Sequence, residues 1–434
     1  IGCPTVLFTR RSNALASRYL SAYYIDSFTH MDSSMPTANT TFILAAKRTP
    51  IGNFNGCFSN TKATELGATA IKACLSAVAP EDSAIDQVIM GCVLSAGLGQ
   101  APARQAALAA GLADSTPCVT INKMCGSGMQ SIIFANDAIA SGNSHLIVAG
   151  GMENMTQAPY LLSKARTGYR FGHDQLWDHM TLDGLEDAYQ SGRPMGLFAE
   201  QCAAEYSISR EQQDAFALSS LERATEAARQ GCFDNEITPM TIQQKKQPVI
   251  VTQDEGPSSV SADKIKRLKP VFQQDGTITA ANASSISDGA AAILLSDERR
   301  ANELNLQPLA KIVAHATHAT EPQLFPVAPI GAIQSVLLKA NWAIEDVELF
   351  EINEAFAVVT LAAMQSLSIP HDKVNVHGGA CILGHPIGAS GARIVVSLLH
   401  AMQLRGATKG IAALCIGGGE ATALAIELIH QKEA

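Results

Sequence analysis

The chain has 434 residues, 47% of them hydrophobic and 16% charged, with a formal net charge of −9. That balance excludes a mostly disordered chain, and the acidic sign excludes a global basic field for nucleic acid. No run of 18 apolar, charge-free residues occurs, so no membrane span is expected.

Residues 1–30 begin with Ile, and Arg10, Arg11 and Arg18 precede the first acid, Asp26. This composition resembles a transit peptide; the preferred reading is upstream sequence ahead of Met31 or Met35. The expected compartment is cytoplasmic, with a mitochondrial address if residues 1–30 are a native transit segment. The ten cysteines form no C-x-x-C, so neither a zinc ribbon nor a thioredoxin-type site is expected, and no metal site is assigned. Buried free thiols in a reducing compartment are the ordinary reading for any one of them.

Short apolar runs alternate with Ala-rich helical stretches. Thr41–Ala46, Gln87–Leu94, Cys118–Asn122 and His145–Gly150 come first, and Ala290–Ser296 follows much later. Leu309–Ala314, Val347–Ile352, Val374–Val376, Gly410–Ile416 and Thr422–Leu428 complete a second series. Such runs read as buried strands, and the helices between them imply right-handed crossovers and mainly parallel pairing. The fold class is α/β. LIVAGGMEN (146–154) echoes ALCIGGGEA (413–421), each a strand, a glycine cluster and then Glu, so the chain reads as a duplicated five-stranded unit. Residues 158–280 interrupt the first copy and carry SREQQDAFALSSLERATEAARQG (209–231), with Ser209 as N-cap and Gly231 as stop. This insert is expected to cover a site.

Four segments carry chemistry. In NKMCGSGM (122–129), Cys125 lies between a strand and a helix, where the helix dipole favours thiolate. In EINEAF (351–356), Asn353 and the two acids follow a strand; the structural alternative is Asn353 as an N-cap with Glu354 in the first turn. In GGACILGHPIGASG (378–391), His385 sits on a glycine-bracketed turn, suited to take a thiol proton or stabilise an oxyanion; Cys381 reads as packing. In LCIGGGE (414–420), Cys415 ends a strand before three glycines whose N–H groups would cradle an anion, or it is simply buried. Ligands of α/β sheets bind at the carboxyl ends of strands, so two thiols, a histidine and an asparagine are expected to converge there.

At this point the chain resembles the thiolase family over about residues 40–430, through AKRTPIG (46–52), NKMCGSGM, GGMENM (150–155), ANASSISDGAA (281–291), NEAF, NVHGGACILGHPIGASG (375–391) and CIGGGEA (415–421). The resemblance implies a five-layer αβαβα fold of two duplicated mixed-sheet halves plus an inserted loop domain. Its segments would be an N-terminal extension over 1–38, an N-terminal half over 39–157 and 281–307, the insert over 158–280 and a C-terminal half over 308–434. It implies reversible Claisen condensation of two acetyl-CoA to acetoacetyl-CoA and CoA, as in acetoacetyl-CoA thiolases. The alternative is a longer-chain 3-ketoacyl-CoA thiolase of fatty-acid β-oxidation. Cys125 would accept the acyl group, His385 would deprotonate it and Cys415 would move the α-proton. Asn353 would hold a water that forms one oxyanion hole with His385, and the N–H groups of Cys125 and Gly417 would form the other. Ser284, Met195 and Phe272 would lie along the coenzyme A arm.

No tightly bound cofactor is implied, and coenzyme A thioesters are the substrates. FPVAP (325–329) resembles thiolases that accept a 2-methyl branch and respond to potassium. The family pattern also implies a homotetramer, a dimer of dimers. Two departures touch the coenzyme A contacts. Pro194 stands where the family has His, and the usual basic residue is not evident around Pro257; Lys264, Lys266, Arg267 and Lys269 are candidates to meet the phosphates, the preferred alternative being a solvated charged face.

Overall fold

The computed structural model describes residues 39–78, 85–243 and 247–429. The expected extension over 1–38 lies outside them. The strands of the first series are β1 (Thr41–Arg48), β2 (Gln87–Gly91), β3 (Cys118–Ile121), β4 (Leu146–Asn154) and β5 (Ser287–Asp297). Their spatial order is β1-β5-β4-β2-β3. The second series is β6 (Ala310–Ala319), β7 (Leu349–Ile352), β8 (Lys409–Ile416) and β9 (Glu420–Leu428), in the order β6-β9-β8-β7. Phe350 of β7 also bridges in parallel to Val374, so the expected strand at 374–376 is reduced to one bridge at the place that β3 holds in the first half.

The two ladders match pair for pair. β1–β5 and β5–β4 are antiparallel and β4–β2 parallel; β6–β9 and β9–β8 are antiparallel and β8–β7 parallel. β1 and β6 even carry register shifts at neighbouring points, between Ile43 and Ala45 and between Ile312 and Ala314. The halves join where Phe42 and Ile43 pair with Lys311 and Ala310. The expectation of mainly parallel pairing is corrected: parallel ladders occur only where a helix crosses over. The tight turn Gly417–Gly419 folds β9 straight back on β8, which forces antiparallel pairing.

Helices complete five layers. α1 (Ala63–Val78) and α2 (Pro102–Ala109) cover the outer face of the first half, where Leu66 and Ile71 pack with Met90 and Leu294. α3 (Ser127–Ala140) lies between the sheets. α4 (Met195–Glu205) and α5 (Arg210–Arg229) belong to the insert. α6 (Ala328–Ala340) and α7 (Ala357–Leu367) lie on the second half; Ile333 and Ala363 share a core cluster with Ile411. α8 (Ile387–Arg405) joins α3 in the middle layer, its Ile394 and Leu398 packed with Ile132, Ile293 and Leu414. Each such side chain stabilises the fold by about 1.5–3 kcal/mol when fully buried.

Two helical stretches, Pro322–Ala340 and Ile387–Arg405, are long and apolar enough to cross a membrane. Lys339 and Arg393 interrupt them, so neither is a charge-free run. The second is 89% buried within the fold and is its central helix.

The insert is knitted to the sheet. Arg48 at the end of β1 is fully buried, and its guanidinium donates to Glu236 at 2.6 Å and to both oxygens of Asp254 at 2.7 and 2.9 Å. Ser209 caps α5 in a reciprocal capping box with Gln212, and Gly231 follows the helix at φ 72°, as the sequence indicates.

Candidate active site

Cys125 stands on the turn between β3 and α3. Ser127 Oγ accepts the Lys123 N–H at 2.8 Å, and Asn122 Oδ1 accepts the Met124 N–H at 2.9 Å. The turn docks against the far half: a Cβ on Gly126 would lie 2.4 Å from Ile416 Cδ1. The two central helices touch backbone to backbone, because a Cβ on Gly128 would lie 2.7 Å from Ala392 N and one on Gly391 2.3 Å from Met129 N. That contact draws the starts of α3 and α8 together, and with them Cys125 and His385. Lys123 also pairs with Glu420 across the halves.

The Gly417 N–H and the cysteine's own N–H both favour the ionised form of the Cys125 sulfur. Burial outweighs both donors and pushes the thiol up to about 11. The expectation that the helix dipole favours thiolate is therefore corrected: the resting group is a neutral thiol, because desolvation penalises the charge more than the N–H groups stabilise it. Cys415 is the penultimate residue of β8 and is 1% exposed. Burial first, and the neighbouring Cys125 second, hold its thiol well above the ordinary value.

His385 follows Gly384, whose φ of 102° suits only glycine. Its N–H donates to Ser285 O at 3.1 Å, tying it to the ANASSISDG segment. His385 Nδ1 lies 2.5 Å from Ser390 Oγ, and that hydroxyl donates to Pro386 O at 2.9 Å. With the hydroxyl proton so engaged, Nδ1–H is the donor and Nε2 carries the lone pair. Nε2 is buried and has no partner among the described residues. Burial, and then the Arg393 charge, depress the imidazole to about 3, so it is neutral at physiological pH.

Asn353 lies just past β7 and is 1% exposed. Its N–H donates to Ala413 O at 3.0 Å, two residues before Cys415. Its Oδ1 accepts from Arg393 Nη2 at 3.5 Å, and its Nδ2 has no partner among the described residues. The helix-capping alternative is not what forms, because α7 starts only at Ala357. Glu354 is instead a buried anchor that accepts from Ser220 Oγ, Asn375 Nδ2 and the Cys381 N–H at 2.8–3.1 Å.

Met195 opens α4 directly after Pro194. Met195, Phe272 and Ala283 pack in the cluster that holds Cys415 and Phe356, with the Phe272 and Phe356 rings edge to face at 6.2 Å. Ser284, half-buried, donates its N–H to Ala355 O at 2.9 Å. Of the three expected coenzyme A contacts, Met195 and Phe272 thus pack in the cluster of Cys415, and Ser284 follows its Ala283 in the chain. Lys264, Lys266, Arg267 and Lys269 are exposed on the insert, and none forms an ion pair among the described residues. Among the described residues no group of three His, Cys, Asp or Glu side chains is placed to hold a metal ion.

The sequence did not single out Glu153, Ser390 or Arg393. Glu153 accepts the N–H groups of Val93, Leu94 and Gly388 at 2.8–3.0 Å, fastening the wall beside Cys125 to the start of α8. Its signal was an acid inside an otherwise apolar strand; that of Arg393 was a lone cation in the first four turns of α8.

Residues 41–299 match the N-terminal domain of thiolase and residues 306–428 its C-terminal domain. An acetyl-CoA acetyltransferase of Chromobacterium violaceum is 49% identical, covering 89% of this chain and 98% of its own. A probable acetyl-CoA acyltransferase of Staphylococcus aureus is 47% identical, over 88% and 98%. The crystal structure of the Bacillus anthracis acetyl-CoA acetyltransferase is 41% identical and superposes with a TM-score of 0.88, covering 91% of this chain and 100% of that one. A thiolase of Ascaris suum in complex with coenzyme A gives 42% identity and 0.85 over 90% and 100%. Duplicated ladders, two facing cysteines and matches over both domains lead to one assignment: the chain belongs to the thiolase family of acyltransferases.

Proposed function

We propose that this thiolase is an acetyl-CoA C-acetyltransferase that joins two acetyl-CoA into acetoacetyl-CoA and CoA, and runs the reverse thiolysis. One observation carries the reading: the Gly417 N–H favours the ionised form of the Cys125 sulfur beside Cys415, while a neutral His385 keeps Nε2 free.

His385 Nε2 takes the Cys125 proton as the sulfur attacks the thioester carbonyl. The carbon–sulfur bond to CoA breaks, Cys415 protonates the departing CoA thiolate, and acetyl-Cys125 remains. Cys415, now a thiolate, removes an α-proton from the second acetyl-CoA. The enolate carbon attacks the acetyl carbonyl, the bond to Cys125 breaks, and the sulfur recovers its proton from His385. Protons and electrons close over the cycle. The N–H groups of Cys125 and Gly417 stabilise one oxyanion, and a water on Asn353 Nδ2 with His385 stabilises the other. Each such donor is worth about 2.7–4 kcal/mol in the transition state. Ser284, Met195 and Phe272 line the coenzyme A arm.

The test is thiolysis by free CoA of 3-ketoacyl-CoAs from four to sixteen carbons, including 2-methylacetoacetyl-CoA. Preference for acetoacetyl-CoA supports the reading, and preference for long chains replaces it with a β-oxidation thiolase. A homotetrameric state, activation by potassium and a cytoplasmic location are proposed alongside. Light scattering, rates with and without potassium chloride, and imaging of a fluorescent fusion test them.

A further inference from the structure

α8 is buried from Ile387 to Met402 between the two halves, yet it carries Arg393, 2% exposed. A guanidinium in that position needs acceptors, and it has two on neighbouring elements. Nη1 donates to Glu351 Oε1 of β7 at 2.8 Å, and Nη2 reaches Asn353 Oδ1 at 3.5 Å. The two acceptors are two residues apart on one segment, so the planar fork spans them both.

We propose that Arg393 is a positioning residue for Asn353: by holding the Oδ1 side of the amide it directs Nδ2, a donor, away from the helix and leaves it free for the reacting groups. The reasoning is donor arithmetic. Guanidinium carries N–H donors and no acceptor, so the amide atom facing it must be oxygen. The amide is flat, so fixing the oxygen fixes the nitrogen on the opposite side. That nitrogen is buried and has no partner among the described residues, an arrangement that is costly unless a ligand or water meets it during turnover. The backbone adds rigidity: the Asn353 N–H is bound to Ala413 O, and the Ala355 N–H returns to Asn353 O at 3.0 Å. Glu351 keeps the guanidinium in place from the other side. A lysine in its stead would offer a point charge and lack the fork. The inference rests on the acyl-cysteine reading above, because it assigns Asn353 a donor role in that cycle.

The experiment compares wild type with the charge-neutral double variant Glu351→Gln, Arg393→Met, which leaves no uncompensated buried charge. Measured are kcat and KM for condensation of acetyl-CoA, and the stoichiometric burst of acetyl transfer to Cys125 by mass spectrometry. The expected result is a kcat loss of about tenfold or more, KM within about twofold and the burst retained, since a single oxyanion donor is worth about 10²–10³ in kcat. Wild-type kcat in the folded double variant overturns the proposal, as does a proportional loss of kcat and burst. Should the double variant fail to fold, Arg393→Lys keeps the Glu351 pair but reaches one acceptor; the same kcat loss is expected and a wild-type kcat overturns the proposal. Absence of the burst in wild type itself condemns the acyl-cysteine reading instead.

Discussion

Glu153 and Cys415 lie at neighbouring points of the duplicated frame. Ile43, at the register shift of β1, lies opposite Leu295, which lies opposite Ile147; Ile312, at the register shift of β6, lies opposite Ile426, which lies opposite Gly410. Counting on equally along both strands from Ile147 and Gly410 reaches Glu153 and Ile416, the residue after Cys415. Each meets the start of the other half's central helix: Glu153 holds the Gly388 N–H of α8, and Cys415 adjoins Cys125 before α3. A near-symmetric backbone therefore brings the two side chains to neighbouring places, and their chemistry separates them. The carboxylate with three N–H partners braces; the thiol, met by no N–H of another residue among the described residues, is the group proposed to move protons.

Removing the nucleophile tests that asymmetry most severely. Cys125→Ala is expected to abolish acetyl-enzyme on incubation with acetyl-CoA, and labelled acetyl still bound to the variant's site would refute the assignment. Cys415→Ala should retain some acetylation of Cys125 while condensation falls by about 10²–10⁴, the usual worth of a general acid–base. Equal loss of both half-reactions would deny Cys415 a separate role.

Glu153→Ala addresses the brace. It leaves three buried N–H groups unmet and should cost about 3 kcal/mol or more, read as a lower thermal midpoint. A variant with unchanged midpoint and lost kcat would make Glu153 a chemical group and remove the contrast with Cys415.

The glycines beside these residues should differ in the same sense. A Cβ on Gly151 would sit 2.1 Å from Gly388 O, so Gly151→Ala is expected to destabilise by about 1–3 kcal/mol. A Cβ on Gly417 meets only Met195 Cε at 3.7 Å, so Gly417→Ala should leave the midpoint near wild type. The echo between LIVAGGMEN and ALCIGGGEA is thus one of sequence order: Gly150 and Gly151 lie inside β4 for close packing, whereas Gly417–Gly419 form a turn.

The last contrast is in resting reactivity. With the Cys125 thiol raised to about 11, the thiolate fraction below that pH rises about tenfold per unit. Iodoacetamide alkylation of Cys125 should climb accordingly from pH 7 to 10, and a rate already on a plateau at pH 7 would mean a preformed thiolate. His385 adds the opposite limb to stability. Its native value of about 3 lies below the ordinary 6.5, so its contribution is full above pH 6.5 and lost as pH falls towards 3.

Much of this was legible in the sequence. The ten apolar runs fall on the strands or on the Val374 bridge, Ser209 and Gly231 bound α5, and the four chemical segments hold Cys125, Asn353, His385 and Cys415. What misled was local reasoning about neighbours. Asn353 followed by Glu354 has the letters of a helix cap, but Glu354 is drawn away by Ser220 of the insert and Asn375. The Cys125 thiol was judged by the helix after it, while the cover over it comes from elsewhere in the fold.

The sequence by itself determined the duplicated α/β frame and the residue types at its strand ends, because apolar periodicity, caps and glycine turns act between residues close along the chain. Tertiary structure alone decided the neutral state of Cys125, the Nδ1–H tautomer of His385, the brace of Glu153 and the orientation of Asn353. Those properties depend on desolvation and on which donor meets which acceptor, and the partners are far apart in sequence: Glu153 and Gly388 are separated by 235 positions.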